Sequence, residues 1–178
     1  MTNYLIKRET ERLILRQWRS TDFEPFARMS ASPEVMAFFP STLTQAQSDE
    51  GARRCQSLIA QHGWGFWAVE EKASGQFIGF TGLHHTKECL PFPPTVEIGW
   101  RLAPAFWRKG YATEAAKEAL HVGFEILNLN EIVSFAVVSN VKSRAVMERL
   151  GMVEEGWTFE HPEVPVGHSL REHCFYRS

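Results

Sequence analysis

The 178-residue sequence lacks a strong excess of either charge. Nineteen lysines and arginines stand against 21 aspartates and glutamates, so the formal net charge is -2, and no long basic block is present. Domains dedicated to nucleic-acid binding usually carry a basic excess. We therefore expect no nucleic-acid partner, although a local patch in a small pocket can differ in charge from the whole chain.

Cysteines are few, and long apolar runs are missing. Cys55, Cys89 and Cys174 are odd in number and widely spaced, which argues against a disulfide framework and favours a reducing compartment. No apolar run approaches the ~20 residues that span a bilayer. Residues 1–12 are polar and have no apolar core suited to a signal peptide. The sequence thus predicts a cytoplasmic protein with no membrane partner.

Internal repeats, low-complexity tracts and long linkers are also missing. The length suits one domain with one well-buried core, and 44% hydrophobic with 22% charged residues is ordinary for a globular protein. The one proline-rich stretch, residues 90–94, is short and typical of a loop between strands. We predict a single domain over residues 1–178.

Hydrophobic periodicity predicts a mixed order of strands and helices. Alternating apolar residues mark strands, and apolar residues at helical spacing mark amphipathic helices. The turn at residues 72–75 indicates a hairpin, and the nearly continuous apolar run 132–138 is typical of a central strand buried on both faces. Strands are predicted at 11–18, 65–71, 76–84, 95–102, 132–138, 152–159 and 170–176, and helices from residue 20, at 44–62, at 110–127 and at 143–150.

The most informative segment is residues 107–115, between a predicted strand and a predicted long helix. The first turn of a helix leaves four backbone N–H groups unpaired at the positive end of the helix dipole. A phosphate bound there accepts from these N–H groups and places its negative charge at the positive end of the dipole. Gly110 and Ala112 would let an anion approach the backbone, and Arg108 and Lys109 add positive charge. On this segment alone, a junction whose glycine only makes the turn is an equal alternative.

Residues 97–115, EIGWRLAPAFWRKGYATEA, resemble the acetyl-coenzyme A-binding core of GNAT acetyltransferases, most closely the RimJ/RimL-type branch. The family pattern Gln/Arg-x-x-Gly-x-Gly/Ala is matched by Gly110 and Ala112, whereas Trp107 stands where Gln or Arg is usual. A second block, which runs from Asn140 to Met152, resembles the Asn-x-x-Ser…Leu-Gly-Phe segment of the family. The resemblance covers about residues 10–177.

This resemblance implies a GNAT fold of the α/β (α+β) class, with a single mixed, mostly antiparallel central sheet flanked by helices. It implies acetyl-coenzyme A as co-substrate and no metal. The pantetheine arm would pair with the strand that ends at Leu102, and the pyrophosphate would bind backbone N–H groups of residues 108–113. Asn140 and Ser143 would reach the pantetheine or the sulfur. The implied cofactor contacts are Ile98, Gly99, Trp100, Arg101, Leu102, Arg108, Lys109, Gly110, Tyr111, Ala112, Thr113, Asn140 and Ser143.

Acetyl transfer to an amine needs a proton acceptor, because the attacking nitrogen loses a proton before or during attack. Glu97, on the strand that would hold the cofactor, is the first candidate for the base, through a water; its alternative is a solvent-facing or ion-paired carboxylate. Many relatives place a Tyr where Met147 stands, and Met147 cannot donate a proton. Ser143 is the substitute candidate for the acid, and a helix cap or a cofactor hydrogen bond is its alternative.

The histidines predict no metal site. His84 and His85 are adjacent, so on a strand they would point to opposite faces, and further ligands at metal-binding spacing are missing. A C-terminal run resembles a stretch found in a subgroup of GNAT relatives. Its His161, His168 and His173 would line the amine pocket or anchor loops.

The leading hypothesis is therefore an enzyme that transfers an acetyl group to a primary amine, either a peptide N-terminus or a small molecule. The rival is a non-catalytic acyl-coenzyme A-binding sensor, which Met147 favours and which Glu97 and Ser143 oppose. A structural domain with a decayed site is a third reading, opposed by the intact glycine motif. The sequence leaves monomer and homodimer open.

Overall fold

The alternating apolar segments form one eight-stranded sheet in the computed structural model, which describes residues 4–178. In space the strands follow the order β1-β2-β3-β4-β5-β6-β8-β7, and every neighbouring pair is antiparallel except β5 and β6. The predicted mixed, mostly antiparallel sheet is confirmed. The strands are β1 (Arg8–Glu9), β2 (Leu13–Arg16), β3 (Phe66–Glu71), β4 (Gln76–His85), β5 (Val96–Leu102), β6 (Val133–Val137), β7 (Val153–Glu160) and β8 (Glu172–Arg177).

Four α-helices within residues 4–178 connect these strands. They are α1 (Phe23–Ser30), α2 (Gln45–His62), α3 (Tyr111–His121) and α4 (Val141–Arg149). A short 3-10 turn precedes α1, as the capping residues at 20–22 predict. The helix predicted from residue 44 begins at a Thr44 cap, whose hydroxyl accepts from the Gln47 N–H while the Gln47 side chain accepts from the Thr44 N–H.

Two predicted helices differ from the observed ones. The helix predicted at 110–127 ends as α-helix at His121 and continues as a π-helical turn over Val122–Ile126. Within that turn Gly123 packs so closely on Ile132 and Leu83 that a Cβ would collide with Ile132. The helix predicted from residue 143 begins two residues earlier, because Asn140 is its cap.

The helices cover the two faces of the sheet unequally. On one face, α1 and α2 pack on β4 and β3, where the Phe26 and Trp18 rings contact Phe80. On the other face, α3 packs on β4 and β5, and α4 packs on β6. The half of the first face formed by β6, β7 and β8 is covered by the loop between β4 and β5, which contributes Leu90 and Phe92.

The polypeptide has one large core and smaller clusters beside it. Trp67, Tyr176 and Phe175 are the largest fully buried side chains. Its three cysteines are all unpaired. Among residues 4–178, no helix combines the length and the apolar character needed to cross a bilayer.

Candidate active site

The two parallel strands β5 and β6 diverge almost as soon as they meet. Their register contains a single pair, Glu97 opposite Val133. One side-chain bridge follows, where the Ser134 hydroxyl donates to the Ile98 carbonyl at 3.0 Å. Beyond this bridge no further register pair joins the two strands, which leaves an opening beside the C-terminal half of β5.

The β5 backbone presents unpaired groups to this opening. Along an antiparallel strand, backbone groups point to alternate edges. The Ala103 N–H donates to the Ile78 carbonyl of β4 at 2.8 Å, so the groups of Arg101 and Gly99, two and four residues earlier, also point at β4. The groups of Ile98, Trp100 and Leu102 therefore face the opening. Because the Ile98 and Leu102 carbonyls accept from Ser134 and from the Trp107 indole at 2.7 Å, the Trp100 N–H and C=O form the open stretch between two anchored carbonyls.

The loop after β5 turns sharply to begin α3. Two of its residues, Arg108 and Gly110, lie in the left-handed region, with φ of 59° and 80°. A residue other than glycine rarely adopts this conformation, so the loop is a specialised turn. Gly110 is the cap of α3, and the N–H groups of the first helical turn have no intrahelical acceptor. These donors point out of the helix end, as the sequence predicts for an anion cradle.

The acidic residue in the first turn of α3 is neutralised by its own partners. Glu114 accepts from the Thr10 hydroxyl at 2.6 Å and pairs with the Arg12 guanidinium at 2.6 Å. Burial alone would raise the pKa of Glu114, but these hydrogen bonds lower it overall. Glu114 is thus engaged away from the helix end, and its charge opposes an anion less.

Cations gather around the same turn. The Lys109 ammonium lies 5.3 Å from the Phe106 ring centroid, and the Lys142 ammonium of α4 lies 4.4 Å from that of Trp107. The sequence does not predict the contact of Lys142 with Trp107, because the packing of α4 beside α3 brings the two side chains together. Arg108 is exposed and directly precedes Lys109 in this turn.

The start of α4 assigns different roles to its two predicted residues. The Asn140 side chain accepts from the Ser143 N–H at 3.2 Å, so Asn140, and not Ser143, caps the helix. Within residues 4–178, the Ser143 hydroxyl has no protein hydrogen-bond partner, and the residue is half-buried. Met147 is 2% exposed and belongs to the main core.

Glu97 faces His84 across the β4–β5 pair. The two residues are in register, and the His84 Nδ1 lies 3.6 Å from a Glu97 carboxylate oxygen. The His84 imidazole is stacked on the Phe66 ring, with centroids 5.2 Å apart and planes 9° from parallel. The sequence does not predict the pairing of His84 with Glu97, because the strand register depends on the length of the loop between β4 and β5. In residues 4–178, no three His, Cys, Asp or Glu side chains cluster as metal ligands would.

Two of the three C-terminal histidines lie on the same sheet face as Glu97. Val133 is in register with Glu97, so Phe135, two residues on, shares that face. The His161 and His173 rings lie 4.9 Å apart and within 6.4 Å of the Phe135 ring. Burial is the main cause that lowers the pKa of both imidazoles. His168 holds its own loop, since its Nδ1 accepts from the Leu170 N–H at 3.1 Å.

Comparison with known proteins identifies the family of this site. Residues 12–153 match the acetyltransferase (GNAT) domain. The uncharacterized N-acetyltransferase YnaD of Bacillus subtilis is 27% identical over 170 residues, which cover 94% of this chain and 93% of YnaD. The FsC-acetyl coenzyme A-N(2)-transacetylase of Aspergillus fumigatus is 33% identical over 153 residues, which cover 78% of this chain and 61% of that enzyme.

Solved structures agree with the sequence matches. A GNAT-family acetyltransferase from Bacillus anthracis superposes with a TM-score of 0.79 at 26% identity, covering 97% of this chain and 98% of the other. The family match extends over most of the chain and includes β5, the loop after it and the start of α4. The chain is an acetyltransferase and belongs to the GNAT acetyltransferase family.

Proposed function

We propose that this protein transfers an acetyl group from acetyl-coenzyme A to a primary amine by direct attack in a ternary complex, within one domain over residues 1–178. The observation that carries the proposal is the opening between β5 and β6. It joins a carboxylate at Glu97, an unpaired backbone stretch at Trp100 and an anion cradle at the start of α3. An acetyl donor bound along β5 would therefore lie beside the proposed proton acceptor.

The residues that line the opening fit the donor in three parts. Ile98, Trp100 and Leu102 direct backbone groups into it, as an extended amide-containing arm requires. The N–H groups of residues 108–113 suit a pyrophosphate, helped by the charges of Lys109 and Lys142. Acetyl-coenzyme A supplies an activated thioester acyl group to this site. Gly99 and Arg101, which direct their backbones at β4, would contact it less.

Glu97 and His84 would accept the proton that the amine loses. In water an α-amino group titrates near ~7.7–8.0 and a lysine near ~10.4, so most of either is protonated at neutral pH. Glu97 would accept the proton, directly or through a water, and His84 at 3.6 Å offers a second acceptor on the same path. Both side chains are only about one-fifth exposed, which limits competition from bulk water.

Two further groups would stabilise charge as the transfer proceeds. The Trp100 N–H is a backbone donor aimed into the opening, and such a donor stabilises negative charge on an acyl oxygen. The Ser143 hydroxyl, at the start of α4, would donate to the departing thiolate. Met147 cannot take this role, because it has no proton to give and lies in the core.

The proposed acceptor class rests on the family resemblance. The resemblance to RimJ/RimL-type enzymes favours a peptide N-terminus, while a small amine fits the same chemistry. We propose no metal and no nucleic-acid partner, and either a monomer or a homodimer. The rival function is a non-catalytic sensor that binds acyl-coenzyme A, and Met147 in place of a tyrosine is the feature that favours it.

Release of free thiol from acetyl-coenzyme A tests the proposal, with a panel of N-terminal peptides and small amines as acceptors. We expect Glu97→Gln to lower kcat by about 100-fold or more, with little change in the KM for acetyl-coenzyme A. Glu88→Gln, an exposed glutamate in the β4–β5 loop, is the matched control and should behave as the parent protein.

Two results would speak against this assignment. Equal activity of Glu97→Gln and the parent would remove Glu97 from proton transfer. Tight acetyl-coenzyme A binding by calorimetry, with no thiol released by any amine, would favour the sensor.

A further inference from the structure

We propose that Arg101 binds a carboxylate of the acceptor, so that the acceptor is an amine that also carries a free carboxylate. The inference rests on the proposed acetyl transfer and narrows its substrate class. It also changes the role of Arg101 from the cofactor contact that the sequence predicts to a specificity residue on the acceptor side.

The Arg101 guanidinium has no anionic partner within residues 4–178. It forms no hydrogen bond and no ion pair there, and its Nε atom is buried without a partner. The buried Arg16, by contrast, forms two bonds to Asp22 at 2.8 and 2.9 Å and one to Glu70 at 2.7 Å. Since burying an unpaired cation is costly, a group that supplies the missing acceptors gains binding energy.

Two aromatic rings hold this guanidinium in place. Its central carbon lies 4.3 Å from the Phe39 ring centroid and 5.3 Å from that of Phe80. Aromatic contacts satisfy the cation but use none of its N–H donors. Phe39 comes from the segment between α1 and α2 and is 43% exposed, so this side of the guanidinium lies near the protein surface. The free donors therefore suit a planar, two-oxygen anion that enters from outside.

The position of Arg101 places it beside the proposed chemistry. Glu97 and Arg101 are four residues apart on β5, so their side chains share one face and their Cα atoms are about 13 Å apart. Gly99 lies between them and has no side chain, and a Cβ there would lie 3.2 Å from the Phe66 ring. The Phe66 ring therefore packs over Gly99 and is only partly buried. An acceptor that lies along the exposed side of this ring can direct its amine toward Glu97 and its carboxylate toward Arg101.

The neighbouring ionisable group does not satisfy Arg101. Cys55 of α2 is the side chain whose charge would act on the guanidinium. Burial raises the pKa of its thiol to about 11, so the thiol is neutral at physiological pH. Arg101 keeps its positive charge there, although burial lowers the pKa of its guanidinium to about 10.

The test on the parent protein compares amines that differ only in the carboxylate. Free amino acids are assayed against their own carboxamides, and short peptide amides whose sole carboxylate is an aspartate side chain form a third arm. We expect kcat/KM to be about 10- to 100-fold higher for the carboxylate-bearing member of a pair. A higher kcat/KM for the free amino acids would identify a free amino acid as the acceptor. A higher kcat/KM for the aspartate-containing peptide amides would identify an acidic peptide. Equal values within pairs, or no turnover of any carboxylate-bearing amine, would overturn the inference.

Two variants then separate binding from a purely structural role. Arg101→Met should raise the KM for the carboxylate-bearing amine about 10- to 100-fold and leave that for its carboxamide nearly unchanged. Arg101→Lys keeps the charge without the planar fork and should fall between the two. A rise in the dissociation constant of acetyl-coenzyme A would instead place Arg101 on the cofactor. Equal losses for acid and amide would indicate that Arg101 only holds Phe39.

These outcomes are distinct from a failure of the proposed function. If acetyl-coenzyme A does not bind the parent protein, acetyl transfer itself is contradicted. If it binds and neutral amines are acetylated as well as acids, only the role of Arg101 fails.

Discussion

His161 and His173 show how burial tunes a side chain near the proposed acceptor side. Their rings lie 4.9 Å apart beside Phe135, and the Nδ1 of His173 is 3.0 Å from the Arg171 carbonyl. Because a carbonyl only accepts, the proton of the neutral ring lies on Nδ1, and Nε2 can accept from a ligand. The sequence left these histidines between pocket wall and loop anchor, and their contacts with the backbone and with Phe135 are compatible with both.

We predict that protonation of these histidines destabilises the fold. Burial is the largest cause that lowers the pKa of both imidazoles below the ordinary 6.5. The charge of His173 lowers the pKa of His161 further. Between the folded and the unfolded pKa values, the unfolded chain binds more protons. The free energy of unfolding should therefore fall as pH drops below about 6.5, and less so in His173→Asn. Denaturant titrations at pH 7.5 and 5.5 measure this, and an identical pH dependence in the variant would contradict it.

At the scale of elements, strand β4 depends on a glycine to approach the strand of the site. Gly79 has φ of 141°, and a Cβ there would overlap the carbonyl oxygen of Arg101 on β5. That carbonyl belongs to the backbone, so it cannot move aside as a flexible side chain can. The position of Arg101 is thus set partly by the absence of a side chain on the neighbouring strand.

Gly79→Ala should destabilise the protein by about 3 kcal/mol or more, since it adds backbone strain to a steric overlap. It should also lower the activity by moving β5. Gly51→Ala is the matched control, because Gly51 lies within α2 with no atom within 4 Å of its Cβ position. That change should stabilise by roughly 0.5–1 kcal/mol. Equal midpoints of chemical unfolding for the two variants would show that the structure relieves the overlap with little loss in the free energy of unfolding.

For the whole molecule, the proposed donor site joins elements that are distant in the chain. The proposed anion cradle combines the start of α3 with Lys142 of α4, and Arg12 of the N-terminal segment binds the Lys109 carbonyl at 2.9 Å. A ligand that binds across these elements stabilises the folded state as a unit.

We expect acetyl-coenzyme A to raise the thermal midpoint. At 100 times its dissociation constant the stabilisation is about 2.7 kcal/mol, or roughly 5–10 °C for a chain of this size. Lys142→Met should reduce the shift at a fixed ligand concentration, and high salt should reduce it further. Lys117→Met, an exposed lysine on α3, is the control and should leave the shift unchanged. Equal shifts in both variants would exclude Lys142 from the site.

The order of the strands illustrates what periodicity leaves open. β7 and β8 both have alternating or apolar sequences, but β8 is inserted between β6 and β7 and is buried from His173 to Tyr176. Its apolar character is explained by this interior position. β7 is the edge strand on this side of the sheet and is largely exposed. The sequence reveals the strands, whereas pairing between distant segments depends on the closure of the whole sheet.

The sequence by itself determined most of the helices and strands, the mixed sheet, the family and the glycine turn before α3, because these depend on local spacing of apolar residues, caps and glycines. It did not predict the two-residue strand β1. It did not determine the pairing of Glu97 with His84 or the packing of Lys142 beside Trp107. It also did not show that Arg101 lies between Phe39 and Phe80 without an anion. Those features were decided by the tertiary structure, because strand register and helix packing bring together side chains whose separation along the chain carries no information about their contact.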